Sequence, residues 1–492
     1  MLEKIYGKTI DYINSMSKQK RKKYGQFFTD INTARFMVKL FSDVDDKETI
    51  NILDPGAGTG ILSCALIERF ENNDKIKTIN LTCYEDDSNV INILTENLEE
   101  IKNNSCKTIN VNIINDNYIL SQQFSIKDNK NESIKYDFII SNPPYLKIST
   151  KAQESIHMKE VCYGAPNLYF LFASMSIYNM KAEGEMVYIM PRSWTSGAYF
   201  SKFREYMINN TKLLNIHLFS SREKVFKSEN ILQETIILRL KKTQNTKNNI
   251  IVTSSYSTDD ITNSNLIEIP YDVVVSNVNN YVFLPIDAKE IDVLKKINKF
   301  EYTLPKLGLK MKTGIVVDFR NKDLLENIEN ENTIPLLYSQ HIKGGRIKFP
   351  IGRENEYLKT EKKGLIQKNE NYLMVKRFTS KEENRRIQCA MYLASEYPKY
   401  KYISTQNKIN FIVGENTELT PNVLFGLYVI FNSTIYDMYY RILNGSTQVN
   451  STEINCMPIP PLYDVGELGK KLAQYNEFST SLCDKILEEY YE

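Results

Sequence analysis

Along the first 240 residues, short apolar runs alternate with segments of helical periodicity, and this alternation limits the folds open to the chain. The apolar runs have strand length and occupy residues 50–54, 79–84, 109–114, 136–140, 185–190, 213–218 and 234–240. Helical spacing is clearest at 62–70, 90–101 and 168–180. Strands that alternate with helices form a mainly parallel sheet covered on both faces. The sequence therefore predicts a doubly wound α/β domain over residues 1–243.

The second half of the chain has a different pattern. A polar, Asn-rich segment, KKTQNTKNNI, follows Leu240 and is typical of a boundary or an exposed hairpin. From residue 251 onward, short β-like pieces and glycine turns are mixed with many tyrosines, and helical periodicity returns at 423–440 and 468–491. This pattern predicts a separate mixed α+β domain over residues 244–492 that ends in helices.

The charge of the chain is nearly neutral in total but unevenly distributed. Its 62 Lys and Arg and 60 Asp and Glu give a net charge of +2. Between His341 and Asn410, however, 16 Lys and Arg accompany seven Asp and Glu, so this segment is +9 and the remainder is −7. A concentrated basic segment indicates a polyanionic partner, although a solvated surface of local Lys–Glu pairs has the same composition.

Export, membrane insertion and metal binding are not indicated by the sequence. The N-terminus carries charged residues throughout, and no run approaches 18 apolar residues. Seven Cys without a C-x-x-C pair, together with only three His, argue against a zinc site or a disulfide framework. We therefore expect a cytoplasmic protein with no membrane partner and no metal.

A glycine-rich loop, DPGAGTG, follows the first predicted strand and opens a predicted helix. Gly56, Gly58 and Gly60 allow a sharp turn whose backbone approaches a ligand more closely than a Cβ permits. Asp54 departs from the pattern of a phosphate-binding loop, because a carboxylate repels phosphate and instead suits an ammonium or sulfonium group. A plain structural turn is the alternative for this loop alone.

Two further carboxylates are predicted at the ends of neighbouring strands. Glu85 ends the second strand, where an acidic side chain can hold both hydroxyls of a ribose. Asp116 ends the third strand, where it can accept the amino group of an adenine. Because open α/β sheets bind ligands at the carboxyl ends of their strands, the loop and the two carboxylates together predict a cofactor site.

The fourth predicted strand runs into Asn142, Pro143, Pro144 and Tyr145. The two prolines stiffen the chain at the same edge of the sheet. If the Asn142 side-chain oxygen and the Pro143 carbonyl accept the two N–H bonds of an aromatic amino group, its nitrogen lone pair becomes available for methyl transfer. Tyr145 supplies a ring for stacking on the base. A Pro-rich turn without function is the alternative for this tetrapeptide in isolation.

These motifs resemble the amino-group DNA methyltransferases that use S-adenosylmethionine, in particular the N6-adenine enzymes of type II restriction-modification systems. The resemblance covers nearly the whole chain. YGQFFT at 24–29 is similar to the N-terminal cofactor motif of that family, which implies that Thr29 lies beside the methionine moiety. The cofactor motifs precede NPPY with no room for a recognition domain between them, the order of the gamma class. The resemblance thus implies a Rossmann-like methyltransferase domain followed by a target-recognition domain.

The family also implies two aromatic roles. Phe226 occupies the position of a family aromatic that packs against the flipped adenine, although a core phenylalanine fits the same pattern. Relatives often place Phe directly after the acid of the third strand, where this chain has Asn117. Tyr118 is the remaining candidate to cover the adenine of the cofactor.

The implied function is site-specific methylation of adenine N6 in double-stranded DNA. The base must be flipped out of the duplex. S-adenosylmethionine would be the cofactor, and the protected site would be the target of a cognate restriction endonuclease encoded separately. Basic residues that could contact the DNA backbone include Arg346, Arg353, Lys376, Arg377, Arg385 and Arg386.

Several alternatives share part of the pattern. RNA adenine methylation, N4-cytosine methylation and glutamine methylation of release factors use related chemistry, although the release-factor enzymes are much shorter. A DNA-binding specificity module without catalysis is a different class, but it would not need the glycine loop or Asn142. Cytosine C5 methylation needs a Pro-Cys pair, which the chain does not contain. Many nucleases hold Mg²⁺ with Pro-Asp and Glu-x-Lys on adjacent strands; the chain has no Pro-Asp, so we expect cleavage only from a separate protein.

Overall fold

The computed structural model describes residues 1–15, 28–126, 135–219, 234–243, 249–380 and 382–491. The chain forms two compact units, Met1–Asp287 and Ala288–Glu492. Within these described ranges, no helix is both long enough and apolar enough to cross a membrane.

The first unit combines helices with one large sheet. Its helices are α1 (Leu2–Ser15), α2 (Ile31–Lys39), α3 (Ile61–Glu71), α4 (Ser88–Asn104), α5 (Gln153–His157), α6 (Leu168–Asn179), α7 (Ser201–Asn210) and α8 (Tyr271–Val274). Its strands are β1 (Thr49–Pro55), β2 (Thr78–Tyr84), β3 (Thr108–Ile114), β4 (Tyr136–Ser141), β5 (Met180–Pro191), β6 (Lys212–Phe219), β7 (Thr235–Lys241), β8 (Asn249–Ser255) and β9 (Asn265–Pro270).

The nine strands are ordered β3-β2-β1-β4-β5-β7-β6-β8-β9. Strands β1 to β5 are hydrogen-bonded in parallel, whereas β7 runs antiparallel to both β5 and β6. The core includes fully buried residues of β1, β2, β4 and α3. The doubly wound α/β prediction is therefore confirmed, and the strand order reverses between β1 and β4, where sheets of this kind bind ligands.

The sheet extends beyond the predicted domain boundary. β8 pairs in parallel with β6, with Ile216 opposite Val252, and β9 pairs antiparallel with β8. The boundary predicted between residues 243 and 244 therefore falls inside the first compact unit. The predicted boundary lies between β7 and β8 in the chain, and these two strands belong to the same sheet.

The second unit mixes two small sheets with helices, as the sequence predicted. One sheet has the order β10-β20-β17-β18-β14-β13 and the other β11-β15-β12-β19-β16. Their strands are β10 (Leu309–Thr313), β11 (Leu325–Glu326), β12 (Thr333–Leu337), β13 (Ile342–Lys343), β14 (Arg346–Ile347), β15 (Tyr357–Lys359), β16 (Gln367–Lys368), β17 (Tyr372–Lys376), β18 (Cys389–Tyr392), β19 (Tyr402–Thr405) and β20 (Ile409–Gly414). The helices are α9 (Ala288–Ile297), α10 (Pro421–Phe431), α11 (Thr434–Leu443), α12 (Ser451–Cys456), α13 (Leu462–Leu472) and α14 (Thr480–Tyr491).

Each long helical segment predicted near the C-terminus is divided into two helices. Within 423–440 the break follows α10, and Ser433 caps α11 by accepting a hydrogen bond from the backbone N–H of Tyr436. Thr420 caps α10 in the same way through Val423. Side-chain oxygens at these positions satisfy N–H groups that the first turn of a helix leaves without partners.

A buried ion pair joins the sheet of the first unit to the segment that follows α2. Glu185 on β5 accepts hydrogen bonds from Arg239 on β7, at 2.8 and 3.1 Å. The same carboxylate also accepts the backbone N–H and the hydroxyl of Ser42. The side chains of Glu185 and Arg239 are 3% and 16% exposed, so removal of either charge leaves the other one desolvated and unpaired.

We expect Glu185→Gln to lower the free energy of unfolding by about 3 kcal/mol, since Arg239 keeps its charge in the interior. Urea unfolding of the full chain, followed by circular dichroism, measures this change. Glu183→Gln on the same strand is the matched control, because Glu183 is 61% exposed and pairs with Lys241 at the surface. That control should lose less than about 1 kcal/mol. Equal losses in the two variants would contradict the importance of the buried pair.

Candidate active site

The glycine loop forms a tight turn between β1 and α3. The backbone N–H groups of Gly56 and Ala57 both donate to the carbonyl of Tyr84, at 2.9 and 2.8 Å. Gly60 has a φ of 86°, and a Cβ there would lie 3.1 Å from a Leu94 methyl group. The turn therefore requires glycine at this position, because a side chain would be both strained and crowded.

Glu85 joins the second strand to this turn. Its carboxylate accepts the backbone N–H of Gly58 at 2.9 Å and the backbone N–H of Asp87 at 2.9 Å. The side chain is only 7% exposed, and burial raises the pKa of the carboxyl to about 7. Glu85 thus holds the glycine turn in place and also lines a cavity beside it.

Asp54 lies beneath the turn and is buried. Its Oδ2 accepts the Ser63 hydroxyl at 2.7 Å, whereas its Oδ1 has no hydrogen-bond partner among the described residues. Burial, with the nearby Glu85 as a smaller cause, raises the pKa of Asp54 to about 7. Asp54 does not itself line the cavity.

Asn142 begins the loop after β4, at the same edge of the sheet. The hydroxyl of Ser141 donates to the carbonyl of Pro55 at 2.6 Å, which ties the ends of β4 and β1 together. The amide nitrogen of Asn142 donates to the Thr29 hydroxyl at 3.1 Å. The structure therefore brings Asn142 and Thr29 together, although 112 positions separate them between Asp30 and Ser141 inclusive.

The two prolines and the tyrosine of this loop are fixed by packing. Pro143 is buried, and Pro144 lines the cavity. The Tyr145 hydroxyl donates to the carbonyl of Ile189 at 3.1 Å, and its ring lies edge-on to Tyr169. Burial raises the pKa of Tyr145 well above its usual value. Tyr145 does not line the cavity, and its hydroxyl is occupied as an anchor to β5.

A cavity of about 240 Å³ lies at this edge of the sheet. Six predicted site residues contribute to its lining, namely Thr29, Gly56, Gly58, Glu85, Asn142 and Pro144. The cavity also has lining residues that the sequence did not single out, among them Asp86, Leu146, Glu154, Leu168 and Phe172. Residues that follow four strands, β1 to β4, and residues of α6 therefore meet at one cavity.

The third strand end differs from expectation. Asp116 is exposed and does not line the cavity, whereas the next residue, Asn117, does. The Asn117 amide donates to Glu154 at 3.1 Å, and its oxygen accepts the backbone N–H groups of Ile119 and Leu120. The polar groups on this side of the cavity are thus Asn117 and Glu154. Asp116 was predicted from its position after β3 alone. In the structure, the next residue along the chain, Asn117, lines the cavity in its place.

Tyr118 does not reach the cavity either. Its ring is buried against Tyr84 and Phe172, at centroid distances of 5.0 and 5.1 Å, and its hydroxyl contacts Ser176 at 3.0 Å. Phe172 on α6 forms the cavity wall in front of it. Phe172 could not be recognised from the sequence, because α6 is buried on all sides and its periodicity does not distinguish one aromatic residue from another.

Part of the predicted site lies outside the described residues. This applies to Phe226 and to residues 24–27 of the N-terminal motif. The following Phe28 and Thr29 are described and both line the cavity. In the described ranges, no group of three or more His, Cys, Asp and Glu is placed to hold a metal ion.

Two of the six basic residues proposed to contact DNA, Arg386 and Arg385, donate hydrogen bonds to backbone carbonyls of the second unit. Arg386 is 0% exposed, donates to the carbonyl of Ser446 and stacks its guanidinium over the Tyr440 ring. Arg385 donates to the carbonyls of Phe431 and Ser433 at the end of α10. A side chain without exposed surface cannot reach a phosphate, so the assignment of Arg386 to DNA is corrected. The sequence showed that both residues carry a charge, but not which groups their side chains contact.

The other four basic residues are partly exposed, as Arg385 also is. Arg346 lies over the rings of Phe425 and Phe478 and is 3.2 Å from Glu396. Arg353 lies 3.4 Å from the ring centre of Tyr338. Lys376 donates to Gln388, and Arg377 donates to the carbonyl of Asn407. These cations retain surface that a polyanion could contact.

Comparison with known proteins is consistent with the motifs and the fold. A model of the family described as Eco57I restriction-modification methylase matches residues 14–226. The type II methyltransferase M.PstI of Providencia stuartii is 33% identical over 492 residues, which covers 97% of this chain and 94% of M.PstI. The chain belongs to the Eco57I restriction-modification methylase family. The predicted resemblance to methyltransferases of restriction-modification systems is thereby confirmed.

Other members and structures agree. The type II methyltransferase M.BsuBI of Bacillus subtilis is 33% identical over 467 residues, covering 93% of this Eco57I-family chain and 91% of M.BsuBI. A nuclease-deletion mutant of the type ISP restriction-modification enzyme LlaGI, solved with a DNA substrate mimic, superposes with a TM-score of 0.53 at 11% identity. That comparison covers 91% of this chain and 54% of LlaGI and shows similarity of fold alone.

The raised pKa values beneath the loop predict how stability depends on pH. The pKa of Asp54 is near 7 in the folded chain and 3.8 in its ordinary state, so the folded state holds a proton that the unfolded state has lost. The stabilisation of the folded state by this bound proton is fully present below about pH 4 and is lost as the pH rises through 7. Relative to Asp54→Asn, the wild type should lose about 1 kcal/mol of unfolding free energy per unit between pH 5 and 7.

Urea unfolding at pH 5, 6, 7 and 8 measures this difference. Asp74→Asn is the control, because Asp74 is exposed and has no burial cost for its charge. A difference between the wild type and Asp54→Asn that stays constant with pH would show that burial of Asp54 has no energetic consequence.

Proposed function

We propose that this protein transfers a methyl group from S-adenosylmethionine to N6 of an adenine flipped out of double-stranded DNA. It would be a site-specific, adenine-specific DNA methyltransferase whose product is protected from a separately encoded restriction endonuclease. The observation that carries the proposal is the position of Asn142, which lines the same cavity as the glycine turn and is held there by Thr29.

The chemistry of the cavity fits S-adenosylmethionine. Glu85 supplies carboxylate oxygens beside the glycine turn, as ribose hydroxyls require. Phe28 and Phe172 supply apolar surface, and Asn117 and Asp86 supply polar groups on the side expected for an adenine. Asp54 has one oxygen without a hydrogen-bond partner among the described residues, and above its pKa of about 7 it would place negative potential next to the loop, which suits a cation. The bound cofactor would supply an electrophilic methyl group.

The residues at the strand end are suited to hold an amino group. The Asn142 side-chain oxygen and the Pro143 carbonyl would accept its two N–H bonds and draw the nitrogen toward tetrahedral geometry. As the nitrogen gains the methyl carbon it becomes positively charged, and these acceptors stabilise that charge. One proton then leaves to solvent, so no strong base is required. The Thr29 hydrogen bond would fix the plane of the Asn142 amide, which reduces the entropy lost on alignment.

Duplex DNA is the proposed substrate for two reasons. The family is one of restriction-modification methylases, and the partly exposed cations of the +9 segment suit a polyanion. Asn before the two prolines, by resemblance, favours adenine over the N4 position of cytosine. RNA adenine methylation, N4-cytosine methylation and a binding module without catalysis are the alternatives that the assay must separate.

The experiment is incubation of the full chain with S-adenosylmethionine and unmethylated genomic DNA, followed by nucleoside analysis and single-molecule mapping. N6-methyladenine confined to one short sequence is the expected product. Detection of N4-methylcytosine alone, or methylation of RNA but not DNA, would replace the proposal by the corresponding alternative. No methylated nucleoside from an enzyme that binds S-adenosylmethionine would overturn it.

Asn142→Ala should reduce kcat by at least about 100-fold, because the acceptors for the developing charge are then incomplete. Binding of S-adenosylmethionine, measured by calorimetry, should change little. Asn110→Ala, at an exposed asparagine of β3, is the control and should keep full activity. Undiminished methylation by Asn142→Ala would rule out the proposed role.

Thr29→Val should reduce kcat by about 10-fold, since the variant keeps the shape of Thr29 but cannot accept the hydrogen bond from Asn142. KM for DNA should change less than kcat, and Thr29→Ser should restore most of the rate. Steady-state kinetics of the three proteins measure this split. An unchanged kcat in Thr29→Val would show that Asn142 needs no support from Thr29.

A further inference from the structure

A group of exposed residues in the second unit combines an aromatic ring with cations. A shallow cavity of about 230 Å³ is lined by Ser339, Gln340, Lys376, Phe378, Glu383 and Lys408, here called the Phe378 patch. The Phe378 ring is 45% exposed, which is unusual for a large apolar side chain with no apolar neighbour in the lining. Lys408 is exposed.

The backbone around Phe378 is held by hydrogen bonds on both sides. Arg377 donates its backbone N–H to the carbonyl of Lys408 at 2.9 Å, and its carbonyl accepts the N–H of Val449 at 2.7 Å. On the other side, Thr379 donates to the carbonyl of Thr447 at 3.2 Å. The exposed ring is therefore presented by a fixed backbone at the end of β17, which lowers the entropy cost of a contact made through it.

The loop that carries Lys408 is also anchored. The backbone N–H of Gln406 donates to the carbonyl of Leu337 at 2.9 Å, at the end of β12. The side chain of Arg377 donates to the carbonyl of Asn407 at 3.0 Å. The ends of β12, β17 and β19 thus come together, and they carry Gln340, Phe378 and Lys408 to one surface.

The charges of the patch favour an anionic partner. Lys376 donates one hydrogen bond to Gln388 and has two further ammonium protons. Glu383, the carboxylate of the patch, accepts the backbone N–H of Ser380 and the amide of Gln388, so its charge is stabilised locally. Arg377 places its guanidinium 5.5 Å from the centre of the Phe378 ring and adds a further cation.

An isolated exposed ring among lysines is a poor surface for protein docking. Lysine is depleted at the centres of protein interfaces, which instead bury several apolar side chains together. Nucleic acid suits the combination better, because an aromatic side chain stacks on a base or inserts between bases while cations bind the phosphates.

We propose that the Phe378 patch contacts the DNA substrate, with Phe378 stacking on a base and Lys376 and Lys408 binding phosphates. This inference rests on the proposed function and extends it by assigning part of the DNA-binding surface. It adds Phe378 and Lys408 to the candidate DNA contacts that the basic composition suggested, and it places Lys376 in the same patch as both.

The test uses fluorescence anisotropy of the full chain with a labelled duplex that contains the mapped methylation site, at several salt concentrations. Phe378→Leu keeps an apolar side chain but removes the ring, and it should weaken binding by roughly 5- to 150-fold, the loss expected for one stacked base. Phe378→Tyr keeps the ring and should bind like the wild type. Lys408→Gln should reduce the slope of log K against log salt by about 0.9, the contribution of one phosphate.

Matched controls lie on α13. Tyr463 is 75% exposed, and the Lys470 side chain is 57% exposed, so Tyr463→Leu and Lys470→Gln remove an exposed ring and an exposed cation outside the patch. Thermal unfolding of all variants shows that each is folded. If Phe378→Leu and Lys408→Gln bind DNA like these controls while the wild type methylates DNA, the proposed DNA contact of the Phe378 patch is overturned and the proposed function stands. If the wild type neither binds nor methylates duplex DNA, both proposals fail.

Discussion

The parallel register of β2, β1 and β4 is the constraint on which the candidate site depends. It places Tyr84 opposite Pro55, so that the carbonyl of Tyr84 can accept two N–H groups of the glycine turn. It also brings the end of β4 beside the end of β1, where Ser141 donates to the Pro55 carbonyl. Residues that are distant in sequence then share one cavity because their strands end at one edge.

The site keeps polar groups in positions that cost folding energy. The carboxyls of Asp54 and Glu85 are both buried, and both have a pKa raised to about 7. Burial of a carboxylate is unfavourable unless hydrogen bonds or a cation compensate for the lost water. Glu85 has two backbone donors, whereas one oxygen of Asp54 has no hydrogen-bond partner within the described ranges. A cationic ligand above the loop would relieve this cost, which links the stability of the unit to binding.

Arginines that are close in the sequence of the second unit differ in burial and in the groups that they contact. Arg386 is fully buried and bonds to loop carbonyls, while Arg377 is partly exposed beside Phe378. Arg385 binds carbonyls at the end of α10, where cations satisfy groups that the last turn leaves without partners. Total charge therefore overstates the number of residues that can contact a polyanion.

The sequence by itself determined strands β1 to β7, helices α3, α4 and α6, the glycine turn and the position of Asn142, because periodicity and turn chemistry are local properties. Only the tertiary structure decided which residues line the cavity: Phe172 replaces Tyr118 as the aromatic wall, and Asn117 replaces Asp116. It also moved the end of the first unit to Asp287, since β8 and β9 continue the sheet. The direction of a side chain depends on contacts between distant segments, which no local pattern records.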